Sequence, residues 1–163
     1  MDRRIVQVVE RRVAYATDHT QGIGRHFLAA GPLPGGFILT KIRLFIQNPS
    51  LVQIAVGFGL SGRPEATLEN FNGSMNLLGA GQKFAGTGMT VGILRSRTAL
   101  VTPYSFPFWV PLGTGSKHVI MSYEAVGSTS NTELILAPVV ERWDGLPNDV
   151  ETRDDGPERE NTE

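Results

Sequence analysis

Apolar residues recur at every second position in several short runs, and each run stops at Gly, Pro or Asn. The clearest are GFILTKIRLFI (36–46), LVQIAVGF (51–58), KHVIMSYEAV (117–126) and NTELILAPVVE, which begins at Asn131. A period of two belongs to a strand with one buried face. In the first run Ile38, Thr40, Ile42, Leu44 and Ile46 share one side, expected to face a core. Phe37, Leu39, Lys41, Arg43 and Phe45 share the other, a half-exposed or contact surface. Val52, Ile54, Val56 and Phe58 form the next inward set. The four turn residues between the two runs predict a hairpin.

The remaining runs complete eight candidate strands. Residues 5–16 are rich in β-branched residues and favour a strand, although Ile5, Val9 and Val13 also fit a helical spacing of four. Residues 18–24 read as a turn and 23–29 as a short strand, closed by the GPLPGG loop at 31–36, which cannot continue a ladder. Residues 91–101 form another strand. YSFPFWVPL (104–112) carries Pro107 and Pro111, so it is predicted as an edge or bulged strand. In 117–126, Val119, Met121, Tyr123 and Ala125 face one way, and the last strand covers 132–143. Between 61 and 90 the alternation is lost. That stretch holds one helical turn, 64–71, with Pro64 near its first position, and is otherwise Gly-rich. It is predicted to be a functional excursion or contact loop.

These patterns give an all-β fold: a two-sheet antiparallel sandwich, arranged most simply as an eight-stranded jelly roll with a long mid-chain insertion. The domain spans 1–143, with the insertion at 61–90 and an acidic tail at 144–163. The composition agrees. A chain of 163 residues suffices for one domain, and 19 glycines with 10 prolines suit many turns.

Charge changes the picture. The formal net charge is −1, but the tail holds eight acidic and two basic side chains, leaving the body positive. Such a tail either stays solvated or lies along a basic surface of this chain or a neighbour. The absence of Cys excludes disulfides, thiolate zinc sites and Cys nucleophiles. No apolar run reaches the roughly 20 residues of a membrane helix. Charges at Glu10, Arg11 and Arg12 interrupt the stretch a signal peptide would need, so neither membrane insertion nor secretion by that route is expected.

Candidate chemistry is sparse. His19, His26 and His118 lack the spacing of a helical metal site and read as separate surface or turn residues. The glycine pairs at 22–24, 79–81 and 86–88 do not extend into a phosphate-binding loop, and no GxSxG elbow occurs. Glu124 is the best-placed acid, yet a lone strand carboxylate is ordinarily a solvated one. The chain therefore reads as non-enzymatic, with no catalytic residue, cofactor or metal. Scattered basic residues near the N-terminus favour protein contacts over nucleic acid. The aromatic set is more suggestive. Tyr104, Phe106 and Phe108 share one face of their strand and Trp109 the other. Together with Phe37 and Phe45 these are the candidate contact residues, either packed in the core or anchoring a neighbour or a sugar.

The strand order, the segment GFILTKIRLFIQNPSLVQIAVGF, the terminal NTELILAPVVERW and the appended tail resemble the single jelly-roll structural proteins of bacteriophage and related virions, both capsid subunits and capsid-decorating (cement) proteins. The resemblance covers residues 1–143. It implies a homo-oligomeric structural protein of the virion, with itself and other coat proteins as partners, and with the N-terminal segment and tail as arms. It transfers no catalytic residue. Two other readings stay open. A carbohydrate-binding module of a fibre or accessory domain would expose Trp109 or Tyr104 on a concave face. A cupin-like enzyme would bring His118, His26 and Glu124 together on a metal.

Overall fold

The computed structural model describes residues 3–15, 25–48, 53–77, 82–83, 90–98, 102–126 and 132–144. The elements are β1 (Arg3–Val8), β2 (Arg11–Tyr15), β3 (His26–Leu33), β4 (Ile38–Gln47), β5 (Gln53–Ser61), α1 (Leu68–Asn72), β6 (Met75–Asn76), β7 (Gln82–Lys83), β8 (Thr90–Arg95), β9 (Tyr104–Pro111), β10 (Lys117–Val126) and β11 (Thr132–Asp144). They build two antiparallel sheets. The first has the order β1-β11-β4-β9, with β2 also paired to β11. The second has the order β3-β10-β5-β8-β7, with β6 on β5. The chain changes sheet from β2 to β3, β3 to β4, β4 to β5, β8 to β9, β9 to β10 and β10 to β11, and this interleaving is that of a jelly roll. The predicted turn at 18–24, the one at 127–131 and the tail from 145 onward lie outside the described residues.

Alternation explains the core. Ile54, Val56, Phe58 and Leu60 of β5 and Val119, Met121 and Tyr123 of β10 meet Ile42, Leu44 and Ile46 of β4 and Leu134, Leu136 and Val140 of β11 in one buried cluster. Each fully buried side chain of this kind contributes about 1.5–3 kcal/mol.

Four expectations are corrected. The first concerns the face of β4. Its ladders with β9 and β11 both shift register around Thr40, so that Val139 opposes Lys41 while Val140 opposes Leu39. Against β11 this bulge places one extra residue in β4 and reverses its alternation. Phe37 and Leu39 therefore turn into the core, whereas Thr40 reaches the outer face and donates to Glu141 Oε2 at 2.8 Å.

The second concerns the hairpin. β4 and β5 do not pair, because β4 lies between β11 and β9 while β5 pairs with β10, β8 and β6. Asn48 anchors the crossover. It is buried, its side chain donates to Thr132 Oγ1 at 2.7 Å, and its backbone N–H donates to the Arg97 carbonyl at 2.8 Å. A local four-residue link cannot by itself choose between pairing and crossing. The polar anchor belongs to the crossing.

Third, β3 runs through Gly31 and Pro32 instead of ending before them. β10 is its partner in the sheet, so Pro32 sits on an edge where its missing N–H breaks no ladder. Fourth, the helical turn starts later than 64. Thr67 is its N-cap, and the Thr67 hydroxyl accepts from the Asn70 backbone N–H at 3.1 Å. The segment predicted at 5–16 is two short strands, β1 and β2, both antiparallel to β11.

Candidate functional site

Both sheets have an outer face, and the two differ. On the second sheet, Ile120 of β10 projects away from the core with Phe27, Ala29 and Ala55 beside it. Phe71 of α1 is fully buried against this group. The loop before α1 is held down by Asn70, whose side-chain amide donates to the Arg63 and Glu65 carbonyls at 2.9 and 2.8 Å and whose Oδ1 accepts from Ser61 Oγ at 2.6 Å. The mid-chain excursion thus covers this face with the chain's own residues.

On the first sheet no described element lies over the outer face. β11 runs down its middle, and Ile135, Ala137 and Val139 are buried there although they stand outside the core cluster. Register places Phe45 and Arg12 beside Ile135, Arg43 beside Ala137, and Lys41 and Val8 beside Val139. Towards the margins the apolar side chains become open to solvent: Val6 is 47% exposed, Val8 45% and Trp109 64%. Trp109 of β9 and Trp143 of β11 meet across β4 with ring centroids 5.7 Å apart. The result is an apolar strip between two tryptophans at one end and Phe45 towards the other.

Charge is interleaved with this strip. Glu141 is buried in it, and a carboxylate there needs partners. It has two: Arg4 Nε donates at 2.9 Å and Thr40 Oγ1 at 2.8 Å. The Thr40 hydrogen bond leads in holding the Glu141 carboxyl below the ordinary 4.5, against the opposing effect of burial, with Arg4 and the charge of Lys41 assisting. Arg12 pairs with Glu133 at 3.1 Å. Lys41 and Arg43 have no ion pair among the described residues, so the face keeps excess positive charge.

The candidate contact residues divide accordingly. Phe37 is a core residue, 5% exposed, with the Arg142 guanidinium 4.7 Å from its ring centroid. Tyr104, Phe106 and Phe108 face inward from the edge strand and pack against the core. Phe106 meets Phe58 edge-on at 5.2 Å, and the Tyr104 hydroxyl donates to the Arg95 carbonyl at 2.6 Å. Phe45 and Trp109 lie on the outer face. Tyr104 and Trp109 are on opposite sides of β9, so they form no common platform. Sequence reasoning missed Val6, Val8, Ile135, Ala137, Val139 and Trp143. The usable signal was the unbroken apolar run from Leu134 to Val140, which marks a strand covered on both faces.

His118, His26 and Glu124 do not converge. His118 and Glu124 are six residues apart on β10, about 20 Å along the strand, while His26 stacks on the core-facing Tyr123 at 5.7 Å. Among the described residues no group of three or more His, Cys, Asp or Glu could hold a metal, and no helix is long and apolar enough to cross a membrane.

No protein-family model matches the chain, and no curated protein matches it in sequence. Among solved structures it is similar to a chain of the acidic stable capsid structure of Helicobacter pylori bacteriophage KHP30. That likeness has 14% identity, covers 90% of this chain and 100% of the other, and has a TM-score of 0.35. A superposition that loose carries no functional weight.

Proposed function

We propose that this chain is a non-enzymatic structural protein of a virion, a capsid subunit or capsid-decorating protein, which works by self-association and contacts with neighbouring coat subunits. One observation supports the associative part: α1 packs Phe71 onto the outer face of the second sheet, leaving Leu68 and Met75 of the covering segment exposed, whereas no described element lies over the outer face of the first sheet, where Val6, Val8 and Trp109 are exposed. The virion setting is supported by the jelly-roll strand order and by the pattern-level resemblance to phage coat proteins.

The size of the face suits such a role. Four strand widths at about 4.8 Å and ten residues at about 3.3 Å give roughly 600 Å² in projection. A standard protein interface takes about 800 Å² from each partner. At about 25 cal/mol per Å² of apolar area, a modest contact repeated by symmetry holds a shell together.

Size-exclusion chromatography with light scattering tests the proposal. The expected result is a mass that rises above one chain with concentration, or co-elution with assembled particles. A species that stays monomeric at the highest concentration and never joins particles contradicts it.

A further inference from the structure

We infer that the acidic segment 145–163 folds back over the outer face of the first sheet of its own chain, covering the strip that a neighbouring subunit would otherwise occupy. This adds regulation to the face proposed above for assembly, but the docking itself stands without that reading.

The first ground is position. β11 is the central strand of this face and ends at Asp144, beside Arg3 of β1. The segment therefore begins at one end of the strip it would cover. It opens with Gly145, Pro147 and Asn148, residues suited to reversing the chain. The return path from Trp143 to Ile135 is about 27 Å along the strand. Nineteen extended residues reach about 63 Å, more than enough for a turn and the full length of the strip.

The second ground is charge. Residues 145–163 hold seven acidic and two basic side chains. The face offers cations along both flanks of β11. Arg4 stands opposite Trp143 and Arg12 opposite Ile135 on one flank, with Lys41 opposite Val139 and Arg43 opposite Ala137 on the other. Glu141 and Glu133 engage the first two; the Lys41 charge also acts on Glu141, and Arg43 has no ion pair among the described residues and is open to an incoming anion.

The third ground makes the idea measurable. The chain has two tryptophans, and both stand on this face. Their emission and their quenching by acrylamide report its cover directly, whether or not chains associate.

The experiment compares the full chain with a chain ending at Asp144, at low concentration and low salt. The full chain is expected to show blue-shifted emission and slower quenching. Truncation abolishes both differences, and so does ~1 M salt, which shortens the Debye length to about 3 Å. A synthetic 145–163 peptide restores protection to the shortened chain, and the Lys41→Glu, Arg43→Glu double variant loses protection while keeping its far-ultraviolet circular dichroism. Identical quenching of the two chains overturns the inference. Protection that grows with protein concentration also overturns it, because the cover is then a second copy. If truncation exposes the tryptophans but the shortened chain stays monomeric at every concentration, the assembly reading fails and the docking survives.

Discussion

The two outer faces of this sandwich start from the same kind of strand and end differently. In the second sheet, the segment between β5 and β8 supplies Phe71, which buries Ile120 completely and Phe27, Ala29 and Ala55 in part. In the first sheet, the comparable strip of Ile135, Ala137 and Val139 is flanked by long side chains of its neighbours, and Val6, Val8 and Trp109 remain open at its margins. A monomer gains nothing from exposed valines on a sheet face. On the function proposed above, these open residues make the first sheet the contact side. The tuned carboxylate of Glu141 fits the same contrast. A buried charge in an apolar strip imposes register on whatever lies against it, which plain greasiness does not.

The contrast can be broken most forcefully at Phe71. Phe71→Ala removes the seal of the covered face and is expected to cost about 3–5 kcal/mol in urea unfolding. It should leave association through the other sheet intact in any chain that remains folded. Asn48→Ala comes next. It strips a buried hydrogen bond from the crossover between sheets and should cost about 1–3 kcal/mol, read in the same assay. A loss below about 0.5 kcal/mol would show that the crossover does not depend on Asn48.

The faces also titrate differently. Burial holds the His118 imidazole, on the covered face, below its ordinary 6.5, with Glu65 opposing part of the effect. Its contribution to stability is present above 6.5 and is lost as pH falls through the depressed folded value. Glu141, on the open face, also has a lowered value, so its contribution is present above 4.5 and is lost at lower pH still. Acid titration of stability should therefore show two windows. His118→Gln removes the upper one and Thr40→Val shrinks the lower. A Thr40→Val protein with an unchanged acid limb would contradict the role given to that hydroxyl. The smallest effect on stability is expected at Trp109. Because it is 64% exposed, Trp109→Ser should change unfolding by no more than about 0.5 kcal/mol while weakening association.

Much of the fold was legible in the residues. The alternation in β5 and β10 identified the inward positions Ile54, Val56, Phe58, Val119, Met121 and Tyr123, and the two prolines of β9 marked an edge strand. The errors share one physical origin. A bulge at Thr40 is a long-range compromise among three strands, and nothing local in LTKI announces it, so Phe37 was assigned to the wrong side. The β4–β5 link has the composition of a hairpin turn, and its crossing depends on Asn48 finding Thr132, 84 residues away. The outer face of the first sheet was half legible. Trp109 and Phe45 stood out as aromatic residues opposite inward positions. Val6, Val8 and Trp143 join them through pairing with β11, a relation no local window contains.

The central claim is that the outer face of the first sheet is where this chain meets its neighbours. Light-scattering mass across a wide concentration range, for the chain ending at Asp144 and for the same chain with Val8→Lys and Trp109→Lys, tests it most directly. The unaltered chain should grow beyond a single copy with concentration, and the doubly substituted chain should remain single while unfolding at nearly the same urea concentration. Equal association of the two chains, or none by either, would contradict the account.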